Sequence, residues 1–315
     1  MESNRQSAIS SRKCLVVGCG YVGLPLGAEL TRLGHEVSGL RRNKSAEGEL
    51  QAAGIQPLFG DITKPETLAR LPCEFDWVIN CVATSGGHAE DYRRIYLQGT
   101  RHLMEWLSAS PPDKFVYTSS TSVYGQTDGS VVKETSPADP TAETAKILLE
   151  TEKVLLGANV LQIGSLRSNL PAVILRVAAI YGPDRGYWFK QFLKNDARIE
   201  GDGSRFLNMI HRDDVVGSII TALRNGRPGE IYNAVDDEPV GQLAFFQWLA
   251  EELGRDLPPI VPENPEENRK RGTTNKRVSN RKLKMELGYQ FKYPEFRSGY
   301  TAEIQSLESA GGLQE

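Results

Sequence analysis

Residues Lys13 to Arg42 read KCLVVGCGYVGLPLGAELTRLGHEVSGLRR, and the fold turns on how this stretch is read. It opens with a short apolar run, Cys14 to Val17, followed by Gly18-Cys19-Gly20-Tyr21-Val22-Gly23, a G-x-G-x-x-G. Val22, Leu26, Leu30 and Leu33 then recur at helical spacing, Gly34 is a natural stop, and His35 to Leu40 reads as a second strand. Strand, glycine turn, helix and strand within about 30 residues is the context in which this spacing signals dinucleotide binding; outside it, the same glycines are only a tight turn. Each glycine has its own task. Gly18 lets the chain turn sharply, Gly20 lets backbone amides approach a pyrophosphate, and Gly23 lets the helix pack on the strand. The diphosphate would sit at the helix N-terminus, where free N–H groups and the helix dipole favour anions; Tyr21 and Val22 lie in the same turn.

Working outward, strands and helices alternate. Ser45 to Ala53 reads as a short helix, Ile55 to Phe59 as an edge-like strand, and Pro65 to Leu71 as a helix with proline at its start. Phe75 to Ala83 is a buried strand, Asp91 to Ser108 a strong helix, Lys114 to Ser119 a strand, Pro140 to Gly157 a helix and Ala172 to Val177 a strand. Strands with apolar centres alternating with helices predict a parallel sheet covered on both faces. Beyond Tyr181 come a helix over Trp188 to Asn195, a helix over Asp213 to Leu223, and a strand over Glu230 to Val235 that returns to the sheet. A helix over Gln242 to Leu253, a charged and proline-rich loop over Leu257 to Arg277, and a last helix over Ser279 to Leu287 follow. The expected class is α/β, a Rossmann doubly wound parallel sheet with a small C-terminal substrate lobe. Residues 1–12 read as a flexible tail and 13–182 as the dinucleotide-binding domain, with 209–236 returning to its sheet. Residues 183–208 and 237–302 make the lobe, and 303–315 a second tail.

A chain of 315 residues can bury a large core. With 37 Lys and Arg against 40 Asp and Glu, the net charge of −3 gives no footprint for nucleic acid. No apolar run approaches the roughly 18 residues of a membrane span, and the polar start has no signal-like apolar core. Cys14, Cys19, Cys73 and Cys81 form no C-x-x-C pair and read as reduced thiols of a cytoplasmic protein. His35, His88, His102 and His211 have no metal-site spacing, so no metal is expected.

From Thr118-Ser119-Ser120-Thr121-Ser122-Val123-Tyr124-Gly125 onward the chain resembles the extended short-chain dehydrogenase/reductases, the NAD(P)-dependent epimerase/dehydratase group. Ile174-Leu175-Arg176 with Ile180-Tyr181-Gly182-Pro183, then Met209-Ile210-His211-Arg212-Asp213-Asp214, then Ile231-Tyr232-Asn233, follow in the family's order. Leu287-Gly288-Tyr289 and Tyr293-Pro294 complete the pattern. The tight glycine spacing, and the run into Lys133-Glu134-Thr135, are most similar to the atypical YeeZ-type branch.

The resemblance implies a catalytic Ser, a Tyr that gives or takes a proton, and a Lys four residues later that lowers the Tyr pKa and holds the ribose. Ser120 matches the Ser and Lys146 the Lys, but Ala142 stands where the Tyr should be. Tyr124, four residues after Ser120, is the first candidate to carry the proton; Glu143 and Thr144 beside the gap are others, and slow or absent turnover is the third reading. Asp61 resembles the family's adenine-contacting Asp, and Val82 and Ala83 resemble the segment lying along the cofactor. At the end of the second strand an acidic residue would hold the NAD ribose, whereas an Arg accommodates the NADP phosphate. That position is Arg41, followed by Arg42, which favours NADP over NAD. In the lobe, Tyr187, Arg205, Asn208 and His211 are candidates for the substrate side, with Trp188 read as core and His211 to Asp214 as a helix start. The basic residues Lys270, Arg271, Lys276, Arg277, Arg281 and Lys282 could close over an anion or simply be solvated.

The function expected is a nicotinamide-dependent oxidoreductase or epimerase-type enzyme acting by hydride transfer on a small polar substrate, a nucleotide-linked sugar among the forms it could take. The alternative is a dinucleotide-binding sensor or scaffold. The helices over Asp91–Ser108 and Pro140–Gly157 match those the family uses for homodimers.

Overall fold

The computed structural model describes residues 11–84, 86–157, 170–262 and 274–309. Seven strands form one sheet: β1 (Lys13–Val17), β2 (Glu36–Arg41), β3 (Gln56–Phe59), β4 (Trp77–Asn80), β5 (Lys114–Ser120), β6 (Ala172–Val177) and β7 (Ile231–Ala234). All neighbouring pairs are parallel, in the order β3-β2-β1-β4-β5-β6-β7. The winding reverses between β1 and β4, and the crevice at such a switch point is where open α/β sheets bind ligands. The central strands are buried on both faces, every residue of β4 and β6 included, so they read as continuous apolar runs. β3 pairs on one side only, where Pro57 costs no ladder bond.

Helix Gly23–Arg32 follows the glycine turn and lays Leu26 and Leu30, both fully buried, onto the sheet. Burial contributes about 1.5–3 kcal/mol for each such side chain. Gly34, at φ +88°, ends the helix as its position predicts. The expected helix over Asp91–Ser108 is a continuous run of three parts: Ala89–Tyr92, a π-helical stretch Arg93–Gln98, and Gly99–Leu107. The wider π turn marks the level at which Tyr96 faces the sheet's carboxyl edge. Helix Glu143–Leu155 starts three residues later than Pro140, with Ala142 as its N-cap in extended conformation.

A second core lies over that edge. Phe189, Phe192, Phe245, Phe246, Phe296 and Tyr300 pack together there, under helices Tyr187–Leu193, Gln242–Leu253 and Phe296–Ser309. The last of these revises the reading of 303–315 as tail, because the chain stays helical to Ser309 and Ile304 is buried. Its signal was in the sequence: Phe296, Tyr300 and Ile304 recur every four residues. The stretch from Leu257 to Arg277 is not all loop, since Ile260–Val261 pairs with Ile199–Glu200 and Arg277–Val278 with Val131–Val132. Lys270 and Arg271 lie outside the described residues. Asp214 clasps the C-terminal segment to helix Arg212–Asn225, accepting from Tyr289 Oη and Lys292 N at 2.7 Å and from Tyr293 N at 2.9 Å.

Candidate functional site

The three glycines of the turn do three different things. Gly18 has φ +88°, and a Cβ there would stand 2.9 Å from Val82 Cα, so the ends of β1 and β4 pass too closely for any side chain. A Cβ at Gly23 would collide with the Gly18 carbonyl oxygen, against which the helix packs. A Cβ at Gly20 would meet nothing within 4 Å, because this backbone faces open space. The amides of Tyr21 and Val22 have no backbone partner among the described residues, and the first helix amide to find one is Leu24, on Gly20 O at 2.9 Å. Free N–H groups at a helix start beside a glycine with room in front of it form a cradle for a diphosphate. Beneath the turn, Cys19 is buried with its Sγ 2.7 Å from where a Cβ on Gly39 would be, and burial pushes its pKa up to about 12. All four cysteines are unpaired.

The turn opens into a cleft of about 220 Å³ at the carboxyl ends of the strands. Gly18, Gly20, Tyr21 and Val22 line it from β1, Cys81, Val82 and Ala83 from β4, and Thr118, Ser119 and Ser120 from β5. The three hydroxyls differ in what they have left to offer. Thr118 donates to Asn80 O at 3.1 Å, and Ser119 donates to Glu152 Oε1 at 2.5 Å. Ser120 Oγ accepts from the Ser122 amide at 3.2 Å, which leaves its O–H to donate into the cleft. Glu152 is locked to Arg176, with Nη2–Oε2 at 2.7 Å and both side chains almost wholly buried. That pair raises the Arg176 pKa, against burial acting the other way, and fixes the floor under Ser119.

Other expected site residues are placed elsewhere. Tyr124 does not line the cleft: it is fully buried, its hydroxyl donates to Asn233 Oδ1 at 2.9 Å, and the Arg176 guanidinium lies 4.8 Å from its ring centre. Burial raises its pKa, so its position and its acidity both oppose a surrogate-acid role. Lys146 is half-exposed, outside the cleft lining, and paired with Glu143 Oε1 at 2.6 Å. Arg41 folds back over the glycine turn and donates to the Cys19 carbonyl, while Arg42 is exposed. Asp61 closes its own turn, its Oδ1 accepting from the Thr63 amide and hydroxyl at 2.9 and 2.8 Å.

Tyr187, Arg205 and His211 of the lobe do not line the cleft either. Tyr187 is 66% exposed. Arg205 lies 5.4 Å from the Trp188 ring and 4.0 Å from Glu200, with its Nε and Nη2 unpartnered among the described residues. Trp188 packs against the second core, as read. His211 is the N-cap of helix Arg212–Asn225; its Nδ1 accepts from the Asp213 amide at 3.1 Å, which puts the ring proton on Nε2. Asn208 holds the chain rather than a ligand, bonding Lys276 O and Val278 N. The basic run is dispersed. Lys276 points inward onto Tyr124 O at 3.0 Å, with burial lowering its pKa to about 8, and Lys282 pairs with Glu230 at 2.6 Å.

Tyr96 and Arg185 are among the lining residues that the sequence did not single out. Tyr96 reaches the cleft from the π turn, its hydroxyl accepting from the Thr84 amide at 3.2 Å. Arg185 reaches it from the segment after β6. Among the described residues there is no group of three or more acidic, His or Cys side chains that could hold a metal, and no helix long and apolar enough to cross a membrane.

A doubly wound parallel sheet with an open glycine turn at its switch point, beside a hydroxyl-lined cleft, defines a Rossmann-type dinucleotide-binding protein. More narrowly, the chain belongs to the NAD dependent epimerase/dehydratase family, whose model matches residues 14–234. It is 28% identical over 299 residues to Protein YeeZ of Escherichia coli K12, covering 90% of this chain and 97% of that one. A solved protein of Methylobacillus flagellatus, assigned to the NAD-dependent epimerase/dehydratases, is 31% identical with a TM-score of 0.74 over 95% of this chain and all of the other. The dTDP-glucose 4,6-dehydratase of Streptomyces venezuelae, solved with NAD and TYD bound, shares the fold at a TM-score of 0.79 over 96% of this chain and 99% of that one, at 22% identity.

Proposed function

We propose that this protein is an NADP(H)-dependent oxidoreductase of the epimerase/dehydratase type, acting on a small polar substrate such as a nucleotide-linked sugar. The observation that carries this reading is that Gly20, with open space before it, and Ser120, with a free O–H, line one cleft. When bound, the nicotinamide would supply or accept a hydride at its C4. Gly18, Gly20, Tyr21, Val22 and Gly23 would cradle the diphosphate, with Val82 and Ala83 along the cofactor and Asp61 near the adenine. Ser120 would hydrogen-bond the substrate oxygen whose carbon changes oxidation state. Lys146 could swing to a ribose from its exposed pair with Glu143, which screening makes easy to break. Arg205, with two nitrogens unpartnered among the described residues, suits an acidic group of the substrate, and Tyr187 and His211 are further lobe candidates on the substrate side. Arg41, already over the glycine turn, and Arg42 would meet the 2′-phosphate of NADP.

Calorimetric titration of NADPH and NADH into the parent and into Arg41→Asp tests the cofactor reading. A charge-assisted contact of about 1.5–3 kcal/mol gives NADPH an advantage of roughly tenfold or more, reduced or reversed in the variant. Equal affinities in the parent would mean that these arginines do not read the phosphate.

One observation favours a second reading, a cofactor-binding sensor that turns over slowly. The cleft has no Tyr at position 142, Tyr124 is turned into the core, and Lys146 is tied to Glu143. If Ala142→Tyr acquires NADPH oxidation with sugar nucleotides or small carbonyl compounds that the parent leaves untouched, the sensor reading prevails.

A further inference from the structure

Of the described residues lining the cleft, Arg185 is the only one with a charged side chain. No carboxylate pairs with it among the described residues. Its guanidinium instead lies 4.8 Å from the ring centre of Tyr21, the residue after Gly20. Arg212 also approaches that ring, at 5.5 Å, but it is neutralised by Asp213, with contacts of 2.9 and 3.1 Å. Among the described residues, Arg185 is therefore the one uncompensated cation at the cleft.

The backbone that presents it is held on both sides. Gly182 and Arg185 exchange N–H···O bonds of 3.0 and 2.9 Å around a tight turn in which Asp184 takes φ +57°. Gly182, at φ +132°, packs where a Cβ would meet His211 Nε2 at 2.9 Å and Tyr21 Oη at 3.3 Å. A Cβ on Gly186 would stand 3.0 Å from Tyr300 Oη. That backbone sets the side chain's starting point, and the guanidinium rests against the Tyr21 ring beside the glycine turn. Tyr21 and Val22, whose amides have no backbone partner among the described residues, line the same cleft.

We propose that Arg185 closes the cofactor site from the lobe side, its guanidinium leaving the Tyr21 ring to pair with the diphosphate of the dinucleotide. Guanidinium matches two phosphate oxygens at once, so a single Arg supplies both charge and orientation. The segment that carries Arg185 packs on Tyr300 of the last helix, so the clamp ties the lobe to the bound cofactor. This rests on the reading that the cleft binds a dinucleotide.

The test is titration of NADPH, NADH, adenosine 2′-monophosphate and UDP-glucose into the parent, Arg185→Gln and Arg185→Lys, at two salt concentrations, with melting curves of each. Arg185→Gln is expected to weaken NADPH and NADH alike, by roughly ten- to a hundredfold, and to flatten their salt dependence. Adenosine 2′-monophosphate, which has no diphosphate, should bind unchanged, and Arg185→Lys should restore part of the loss. Full dinucleotide affinity in Arg185→Gln overturns the clamp, whether or not melting shifts, and makes the Tyr21 contact purely structural. A loss confined to UDP-glucose, with both dinucleotides unaffected, moves the anion to the substrate and overturns it too. If the parent binds neither dinucleotide, it is the cofactor reading itself that has failed.

Discussion

Tyr124 donates its phenolic hydrogen to Asn233 across 109 positions of sequence, joining the turn after β5 to β7. Asn233 in turn donates to Ser279 O, and its amide donates to Glu134 Oε1. The tyrosine that sequence spacing offered as an acid is thus the centre of a buried polar network. Tyr124→Phe should leave Asn233 Oδ1 without its donor and cost about 1–3 kcal/mol in urea unfolding, with dinucleotide affinity unchanged. Full stability with lost turnover would return Tyr124 to the chemistry.

Gly20 and Gly23 should separate binding from folding. Gly20→Val adds a side chain in open space, so the protein should melt near the parent temperature but bind no dinucleotide. Gly23→Ala places a methyl on the Gly18 carbonyl and should lower the melting temperature as well. A Gly20→Val protein that binds NADPH normally would remove the diphosphate from this turn.

The Arg176–Glu152 pair predicts a large, asymmetric response. Glu152→Gln leaves a buried guanidinium uncompensated, and about 3–5 kcal/mol of stability should be lost. Replacing both, with Arg176→Met and Glu152→Leu, should recover much of it. Equal losses in the single and double variants would mean that the cavity, not the charge, dominates.

His211 should make the protein sensitive to acid. Burial lowers its pKa from 6.5 to about 4, with Asp213 opposing and Arg212 and Lys292 adding to the shift. The unfolded chain takes up this proton as pH falls through 6.5, and the folded chain only near 4. The contribution is therefore fully present above 6.5 and is lost between those values, at up to about 1.4 kcal/mol per pH unit. Against His211→Asn, which can still cap the helix, the parent's urea midpoint should fall more steeply over that range. Parallel pH profiles would show that His211 does not titrate there.

The glycine turn was legible because its constraints are local: what Gly18 and Gly23 lack is dictated by chain atoms a few residues away or on an adjoining strand. Ser120 was legible for the same reason, as the end of an apolar strand. Tyr124 was not, since its partner lies on β7 and nothing in an eight-residue motif reveals which way a phenol turns. Arg185 was missed because an unpaired charge and a paired one look alike in sequence; what singles it out is that no other described residue lining the cleft is charged. Lys276 shows the converse, a lysine in a basic run that is buried on a carbonyl.

The clasp at Asp214 has a consequence for the order in which the protein is made. It fixes the segment that leads into helix Phe296–Ser309, whose Tyr300 backs the Arg185 turn. The strands whose ends line the cleft are made by Val177, but the helix that backs its wall begins only at Phe296, more than a hundred residues further on. A nascent chain that has passed β6 thus presents an open half-pocket until that helix follows. Tight retention of a dinucleotide should begin only once helix Phe296–Ser309 has been made and docked.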